Sequence, residues 1–313
     1  MINNIFIFIV AFYMIIKGSL LATKYSEKLA QGLKLSKYIV GFVIIAIISI
    51  LPETIISINS AIEGVPNFGI GLLFGSNIAD LTLIFALIVL LSKRSIKVES
   101  KILKNKLIYP FLLLLPLILG LDGYFSKLDG ITLLIIGVIF YYLVLKDNKG
   151  KNEIEREHFS PLKTRIKNIL WLLFSMTLLL VGAHFIVDSA TQIAYSFNIN
   201  PILISMFIVS LGTTMPELFF ALNSVKKKDD SLAIGDILGT VLADATIVIG
   251  IIAIINPFYF PVKTIYISVL FMVTASYLLF NFMKSGKNIS KKEAYLLIAF
   301  WLLFIIIEYS INN

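Results

Sequence analysis

Long apolar stretches, separated by short polar or charged segments, run along the whole chain. A helix that spans a bilayer needs about 20 predominantly apolar residues, and these stretches approach that length. They do not alternate between apolar and polar residues as the strands of a membrane β-barrel do. The pattern therefore predicts an all-α membrane protein with ten transmembrane helices. The predicted spans are 2–24, 38–61, 68–91, 105–121, 127–146, 167–195, 201–225, 231–255, 262–283 and 292–311.

The composition agrees with a membrane protein. Of the 313 residues, 58% are hydrophobic and 15% are charged, whereas soluble domains have about 45–50% apolar and about 25% charged residues. The chain has no cysteine and two histidines, which excludes thiol chemistry and a histidine-based metal cage. We expect no cofactor. The net charge of +8 is interpreted as a topology signal, and no nucleic-acid partner is expected.

The basic residues indicate how the chain is oriented in the cell membrane. Of the 27 Lys and Arg residues, 24 lie in or beside alternate loops, two lie in or beside the other loops, and Lys17 lies inside a span. Loops rich in Lys and Arg remain in the cytoplasm. The distribution predicts a multi-pass protein with both termini outside and with the charged segment 147–165 in the cytoplasm.

The chain repeats itself with an offset of 164 positions, without a gap. Five spans in each half is an odd number, so the second half must enter the membrane from the opposite side. This predicts two inverted five-helix repeats, 1–146 and 166–313, joined by the linker 147–165, an arrangement typical of secondary transporters. The matched pairs include Gly18 and Gly182, Pro52 and Pro216, Glu53 and Glu217, Gly75 and Gly239, and Asp80 and Asp244.

Four carboxylates lie well inside predicted spans: Glu53 and Asp80 in the first half, Glu217 and Asp244 in the second. A charged side chain at the centre of a membrane helix costs about 2.5–3.5 kcal/mol on the insertion scale. No lysine or arginine lies at comparable depth to neutralise them. The missing counter-charge is therefore expected to be a transported cation.

The residues around these acids can supply further oxygen ligands. Pro52 and Pro216 cannot donate to the carbonyls four residues earlier, so those oxygens must face protein or a polar cavity. Hydroxyl groups precede each glutamate by about one turn and each aspartate by four residues, on the same helical face. They belong to Ser49, Thr213, Thr214, Ser76 and Thr240. Such oxygen-only surroundings suit a hard cation, and they suit Ca²⁺ better than Mg²⁺ because its geometry is more tolerant.

Other polar residues in the spans are interpreted differently. Asp188, Asp236 and Glu308 lie near predicted helix ends, and we expect structural or interfacial roles for them. His184 has no partner that the sequence identifies.

Three motifs carry a family resemblance: GTTMPE at 212–217, GSNIAD at 75–80 and the looser GTVLAD at 239–244. They lie in two paired segments, 38–91 and 202–255. With them the chain resembles the cation/calcium exchanger superfamily, in particular its sodium/calcium exchanger branch. The resemblance implies an inverted five-plus-five fold and the exchange of Ca²⁺ for Na⁺ by alternating access.

The resemblance also implies a set of ion ligands. Glu53 and Glu217 are the expected central ligands, with Asp80 and Asp244 in the middle of the cluster. Each of two flanking sodium sites would combine two hydroxyls with a backbone carbonyl. One would contain Ser49, Ser76 and the carbonyl of Ala46, and the other Thr213, Thr240 and the carbonyl of Ser210.

Departures from the family pattern leave an alternative open. Asp80 stands where sodium/calcium exchangers more often carry Asn, and a fourth carboxylate changes the charge balance of the site. A proton-coupled Ca²⁺/H⁺ antiporter is therefore the alternative function. A channel is disfavoured because no filter-like loop is present. An enzyme is not expected, since the chain contains no HExxH, GxGD or aspartate-rich prenyl-transfer motif.

Overall fold

The computed structural model describes residues 2–30, 37–92, 94–98, 108–146, 162–286 and 288–312. These ranges are almost entirely helical, with π-helical turns at Val40–Ile45, Asp80–Ile84, Ser205–Val209 and Asp244–Val248. The first half contains α1 (Ile2–Ala30), α2 (Lys37–Ile39), α3 (Ala46–Ser49), α4 (Leu51–Ile62), α5 (Pro66–Ala79), α6 (Phe85–Leu91), β1 (Ile96–Lys97), α7 (Ile108–Leu113), α8 (Leu115–Leu119), β2 (Tyr124–Phe125) and α9 (Lys127–Lys146). The second contains α10 (Leu162–Ser196), α11 (Pro201–Ile204), α12 (Ser210–Thr213), α13 (Met215–Lys226), α14 (Asp230–Ala243), α15 (Ile249–Ile255), β3 (Phe258–Tyr259), α16 (Val262–Gly286), β4 (Asn288–Ile289) and α17 (Lys291–Asn312).

Within the described ranges, seven helical segments are long and apolar enough to cross a membrane, and they coincide with the third and the fifth to tenth predicted spans. The second predicted span is a pair of helices, Val40–Ser49 and Leu51–Ile62, bent by 42°, and counting it gives eight. The first and fourth predicted spans contain the shorter apolar helices Asn3–Gly18 and Ile108–Leu119. The helical membrane-protein class is confirmed, while the exact number of ten spans stays a prediction.

The linker between the halves is described only at its end. Residues 147–161 lie outside the described residues, and α10 already begins at Leu162. The boundaries 1–146, 147–165 and 166–313 therefore remain predictions.

The two halves pack against each other reciprocally. The first long helix of each half, α1 and α10, lies along the other. Gly18 on α1 faces Leu179 on α10, and Gly182 on α10 faces Ile15 on α1. These four positions are related by the offset of 164, so each contact is repeated with the roles of the halves exchanged.

The same reciprocal packing of the two halves occurs in the interior and between the strands. Helix α5 packs against the π-helical turn Ser205–Val209, and α14 packs against the turn Val40–Ile45. Strand β1 pairs antiparallel with β4, and β2 pairs antiparallel with β3, so each ribbon joins one half to the other. This reciprocal packing supports the predicted two repeats.

The polar segments lie at the centre of the helical assembly. In the span Pro66–Leu91, 89% of the most apolar window is buried inside the protein, and in Asp230–Ile255 the value is 83%. In the last helix, Lys291–Ile311, it is 22%. Because a hydrocarbon phase tolerates exposed apolar side chains, the outer helices are suited to face lipid while the central ones are enclosed by protein.

Candidate functional site

Two broken helices place the glutamates. Helix α3 ends at Ser49 and α4 begins at Leu51, and the equivalent break lies between α12 and α13. In both cases a proline is the second residue of the new helix, where its missing N–H costs no hydrogen bond. Glu53 and Glu217 follow directly, in the first turn of α4 and α13. The positive end of the helix dipole favours a negative side chain there.

Two π-helical turns place the aspartates. Asp80 is the first residue of a π-helical turn after α5, and Asp244 is the first residue of the matching turn after α14. Single π-helical turns inside α-helices are uncommon and frequently occur at functional sites. The local backbone is therefore irregular at all four predicted acidic positions.

The structure brings the four predicted carboxylates together. Glu53 is 1% exposed, and Asp80, Glu217 and Asp244 are fully buried. Glu53 lies within electrostatic range of the other three carboxyl groups, and Asp80 lies within range of Glu217. Seven of their eight oxygens have no hydrogen-bond partner among the described residues. Oxygens buried in this way are costly unless a proton or cation satisfies them.

The hydroxyl groups predicted as ligands are buried beside the acids, in different hydrogen-bonding states. Ser76 donates to the carbonyl of Leu73 at 3.1 Å, and Thr213 donates to the carbonyl of Ser210 at 3.0 Å. Thr240 is 1% exposed, and its hydroxyl has no partner among the described residues. A hydroxyl that donates its proton to protein keeps its lone pairs for another group.

The two carbonyls predicted as ligands occupy equivalent positions before the helix breaks. The carbonyl of Ala46 accepts from the N–H of Ile50 at 3.0 Å, and the carbonyl of Ser210 accepts from that of Thr214 at 3.0 Å. A carbonyl oxygen has two lone pairs, so that of Ala46 can accept one further interaction. The carbonyl of Ser210 also accepts from the Thr213 hydroxyl, so it can bind an ion only when that hydroxyl turns away. Their matching geometry shows that the repeat extends to the backbone of the site.

Two tyrosines from the first half anchor the helix that carries Asp244. The hydroxyl of Tyr109 donates to the carbonyl of Leu238 at 2.7 Å, and that of Tyr141 donates to the carbonyl of Gly239 at 2.6 Å. Buried tyrosines normally need such partners. These bonds fix α14 against α7 and α9.

No three His, Asp or Glu side chains within the described ranges are arranged as a ready cage for one metal ion. An ion held among these residues therefore needs hydroxyl and carbonyl oxygens in addition to one or two carboxylates. Such mixed oxygen ligation is usual for Ca²⁺.

A further acid, Asp236, lies on α14. It was expected near a helix end in a structural or interfacial role. It lies six residues after the start of α14 at Asp230 and is fully buried. Its Oδ1 accepts a hydrogen bond from the Ser49 hydroxyl at 2.9 Å, which joins the two halves beside the helix break that precedes Glu53. The spacing of four residues between Asp236 and Thr240 places both on one face of the helix.

Two other polar residues acquire partners. His184 Nδ1 lies 2.8 Å from Glu63 Oε1 at the protein surface. Glu308 is fully buried and accepts a hydrogen bond from Ser268 at 2.7 Å. Asp188, by contrast, is exposed and bonds Gln192 on the same helix. None of these three contacts involves the acidic cluster.

Comparison with known proteins finds matches over both halves of the chain. A profile of the family described as "Sodium/calcium exchanger protein" matches residues 3–146 and 167–310, one match for each half. An uncharacterized membrane protein of Methanocaldococcus jannaschii is 30% identical over 281 residues, which covers 90% of this chain and 89% of that protein. A sodium/calcium exchanger of Methanosarcina acetivorans is 23% identical, with 98% of this chain and 99% of that protein covered.

A solved structure has the same architecture. The sodium-calcium exchanger NCX_Mj, soaked with 10 mM Na⁺ and 10 mM Sr²⁺, superimposes with a TM-score of 0.72 at 26% identity. The match covers 97% of this chain and 98% of that one. Both repeats match the family profile, and the members of this family are transporters rather than enzymes. On this evidence the chain belongs to the sodium/calcium exchanger family of membrane antiporters.

Proposed function

We propose that this protein is a secondary active antiporter that exchanges Ca²⁺ for Na⁺ across the cell membrane by alternating access. The observation that carries the proposal is the buried cluster of Glu53, Asp80, Glu217 and Asp244, whose oxygens are almost all without partners among the described residues. Family membership supports an exchanger, and the oxygen-only surroundings support hard cations.

The proposed ligands divide into a central and two flanking groups. Glu53 and Glu217 are the shared central ligands for Ca²⁺, and Asp80 and Asp244 line the same space. The flanking sodium positions follow the packing of the halves, since α14 packs against α3 and α5 packs against α12. One position uses Ser49, Thr240 and the carbonyl of Ala46, and the other uses Ser76, Thr213 and the carbonyl of Ser210. This pairing of the hydroxyls differs from the one expected from the sequence, which combined Ser49 with Ser76 and Thr213 with Thr240. The burial of all ten residues supports this assignment.

Exchange follows from the cost of an uncompensated cluster. One charge at the centre of a membrane helix costs about 2.5–3.5 kcal/mol, so a bare cluster cannot pass readily between its inward- and outward-facing states. Ca²⁺ and Na⁺ use the same carboxylate oxygens, and binding of one ion set therefore expels the other. Only a filled site reorients, and this couples the two fluxes.

The proposed movement uses the first helix of each repeat. Helices α1 and α10 pack against each other on the outside of the cluster and contact the broken helices α3, α4, α12 and α13. We expect this pair of helices to slide against the other eight of the ten proposed spans. The proposed topology has both termini outside and the segment 147–165 in the cytoplasm, as the basic residues indicate.

A Ca²⁺/H⁺ antiporter is the second candidate, and the presence of Asp80 favours it. Carboxylates that interact strongly cannot all ionise independently, so a proton can replace a cation as the compensating charge. This candidate uses the same cluster and the same movement, and only the coupling ion differs.

Counter-ion dependence in proteoliposomes tests the proposal. Vesicles that contain the purified protein are loaded with Na⁺ or with choline, and ⁴⁵Ca²⁺ uptake is measured with and without a pH gradient. We expect uptake from Na⁺-loaded vesicles to exceed that from choline-loaded vesicles by about tenfold or more. Uptake that follows only the pH gradient would establish the second candidate. If neither the Na⁺ gradient nor the pH gradient drives uptake above that of protein-free vesicles, both candidates are refuted.

A further inference from the structure

A polar contact joins helix α10 to the end of α4. His184 Nδ1 on α10 lies 2.8 Å from Oε1 of Glu63, the residue that follows α4. The side chain of Asn59, one turn earlier on α4, donates to the same oxygen at 2.8 Å, which fixes the direction of the carboxylate. The contact therefore links one of the two helices that we propose to move with a helix that carries part of the acidic cluster.

The surrounding contact between the helix pair, α1 and α10, and the rest of the protein is apolar. Ile15 and Val187 of the pair belong to one buried apolar cluster with Ile56 on α4 and Leu72 on α5. Hydrophobic contacts have no preferred direction, so such an interface can form again after a shift along the helix axis.

The His184–Glu63 contact differs from its surroundings because it crosses this interface as a hydrogen bond. Where both side chains are described, the other side-chain bond of the pair to another helix, from Asn4 to Gln192 at 2.7 Å, stays within the pair. An N–H···O bond is made at about 2.7–3.2 Å, and a shift of one helical turn is about 5.4 Å. The apolar interface thus tolerates several positions of the pair, whereas the hydrogen bond is compatible with one of them.

The contact is present on one side of the pseudo-symmetric fold. The positions equivalent to His184 and Glu63 are Leu20 and Lys227. Leucine has no polar side-chain atom, so α1 cannot make the matching bond to the end of α13. In alternating access one repeat rocks against the other, and the opposite arrangement has no equivalent bond that replaces this one.

We propose that His184 and Glu63 form a latch that holds α10 against α4 in the conformation of this structure and opens when the helix pair slides. This inference rests on the proposed function and adds to it a bias between the two conformations. In the proposed topology the latch lies at the outer face of the membrane. Its side chains are 61% and 27% exposed, and a pair so exposed contributes little. Because it is made in one conformation only, its whole strength acts on the ratio of the two, and we expect a shift of about threefold.

A distance measurement across the interface tests the latch. The chain has no cysteine, so spin labels attach only at introduced cysteines. Lys167→Cys on α10 and Lys292→Cys on α17 place two labels at exposed positions outside the latch. Double electron–electron resonance in nanodiscs should then give two distance components, whose ratio changes between Na⁺ and Ca²⁺.

Removal of either side chain should shift this ratio. In His184→Ala and in Glu63→Ala we expect the component that matches this structure to fall about threefold relative to the other. If both side chains act through one bond, the double variant shifts the ratio no further than either single variant. Gln192→Ala is the matched control, because it removes a bond within the pair, and we expect it to leave the ratio unchanged.

The outcomes separate the latch from the proposed function. An unchanged ratio in both single variants, or additive shifts in the double variant, overturns the latch. A single distance component in the labelled protein under both ions also overturns it, because the pair then does not slide. The proposed exchange fails independently of these results if the original protein shows no Na⁺-dependent ⁴⁵Ca²⁺ uptake in proteoliposomes.

Discussion

Gly75 on α5 lies directly against the backbone carbonyl of Met206, and a Cβ at position 75 would stand 2.0 Å from that oxygen. Gly239 on α14 has the equivalent relationship with the carbonyl of Phe42, at 2.2 Å. The second contact repeats the first with the roles of the two halves reversed. Each glycine directly precedes a proposed ion ligand, Ser76 or Thr240. Close backbone approach between central helices therefore sets the position of the ligands.

A methyl group at either glycine should separate the halves. We expect Gly75→Ala and Gly239→Ala each to destabilise the protein by about 1–3 kcal/mol or more, because the obstacle is backbone and cannot rotate away. Thermal unfolding in detergent measures this effect. Gly182→Ala is the control: its Cβ would meet the side chain of Ile15 at 3.1 Å, which can adjust, and the carbonyl of Ala11 at 3.2 Å, about 1 Å farther than the carbonyls at positions 75 and 239. Equal stability losses at positions 75 and 182 would contradict the argument.

Loss of one central carboxylate should abolish exchange. Glu53→Gln and Glu217→Gln retain the shape of the side chain but remove a charge that we propose binds Ca²⁺. We expect Na⁺-dependent ⁴⁵Ca²⁺ uptake to fall by about a hundredfold or more, since the charge balance of the filled site is lost. Full uptake in either variant, with normal levels of folded protein, would disprove the ligand assignment.

Asp80 should be less critical than the glutamates if Na⁺ is the coupling ion. Asn stands more often at this position in the exchangers that the chain resembles, so Asp80→Asn should still allow Na⁺-dependent uptake within about threefold of the original. If protons drive transport instead, the same substitution should eliminate uptake that depends on a pH gradient. Proteoliposome assays with the two gradients distinguish these results.

The ion pair between Arg94 and Asp230 should stabilise the contact between the halves. Arg94 donates to both carboxylate oxygens of Asp230, one at 2.8 Å, and to the carbonyl of Val225. The side chain of Asp230 is 7% exposed and that of Arg94 is 33% exposed. We expect Arg94→Gln to lower stability by about 1 kcal/mol, after allowance for solvent screening at the partly exposed arginine.

Lys97 provides the control for this ion pair. It contacts Asp230 through its backbone N–H at 2.8 Å, which a substitution retains. Lys97→Gln should therefore have a thermal unfolding midpoint close to that of the original protein. If Arg94→Gln is equally neutral, the ion pair does not contribute measurably to the contact.

The four central acids could be identified from the sequence because charged residues are costly, and therefore rare, within membrane-spanning segments. Glu53, Asp80, Glu217 and Asp244 stand out in apolar surroundings, and the offset of 164 pairs them. The repeat also paired Gly18 with Gly182, and the structure places both in the reciprocal contact of α1 with α10. The hydrogen bond between Ser49 and Asp236 could not be anticipated, because the counterpart of Asp236 in the first half is Leu72 and the repeat pairs it with no second acid.

Hydrophobicity and repetition along the chain thus determined the class of protein, the two halves and most of the acidic residues, since the cost of charge in hydrocarbon depends on composition alone. Only the tertiary structure decided which oxygens meet. The hydrogen bond from Ser49 to Asp236 joins residues 187 positions apart in different halves. Such a contact depends on how closely two helices approach and how each is turned about its axis. Packing sets both quantities, and no periodicity within one segment encodes them.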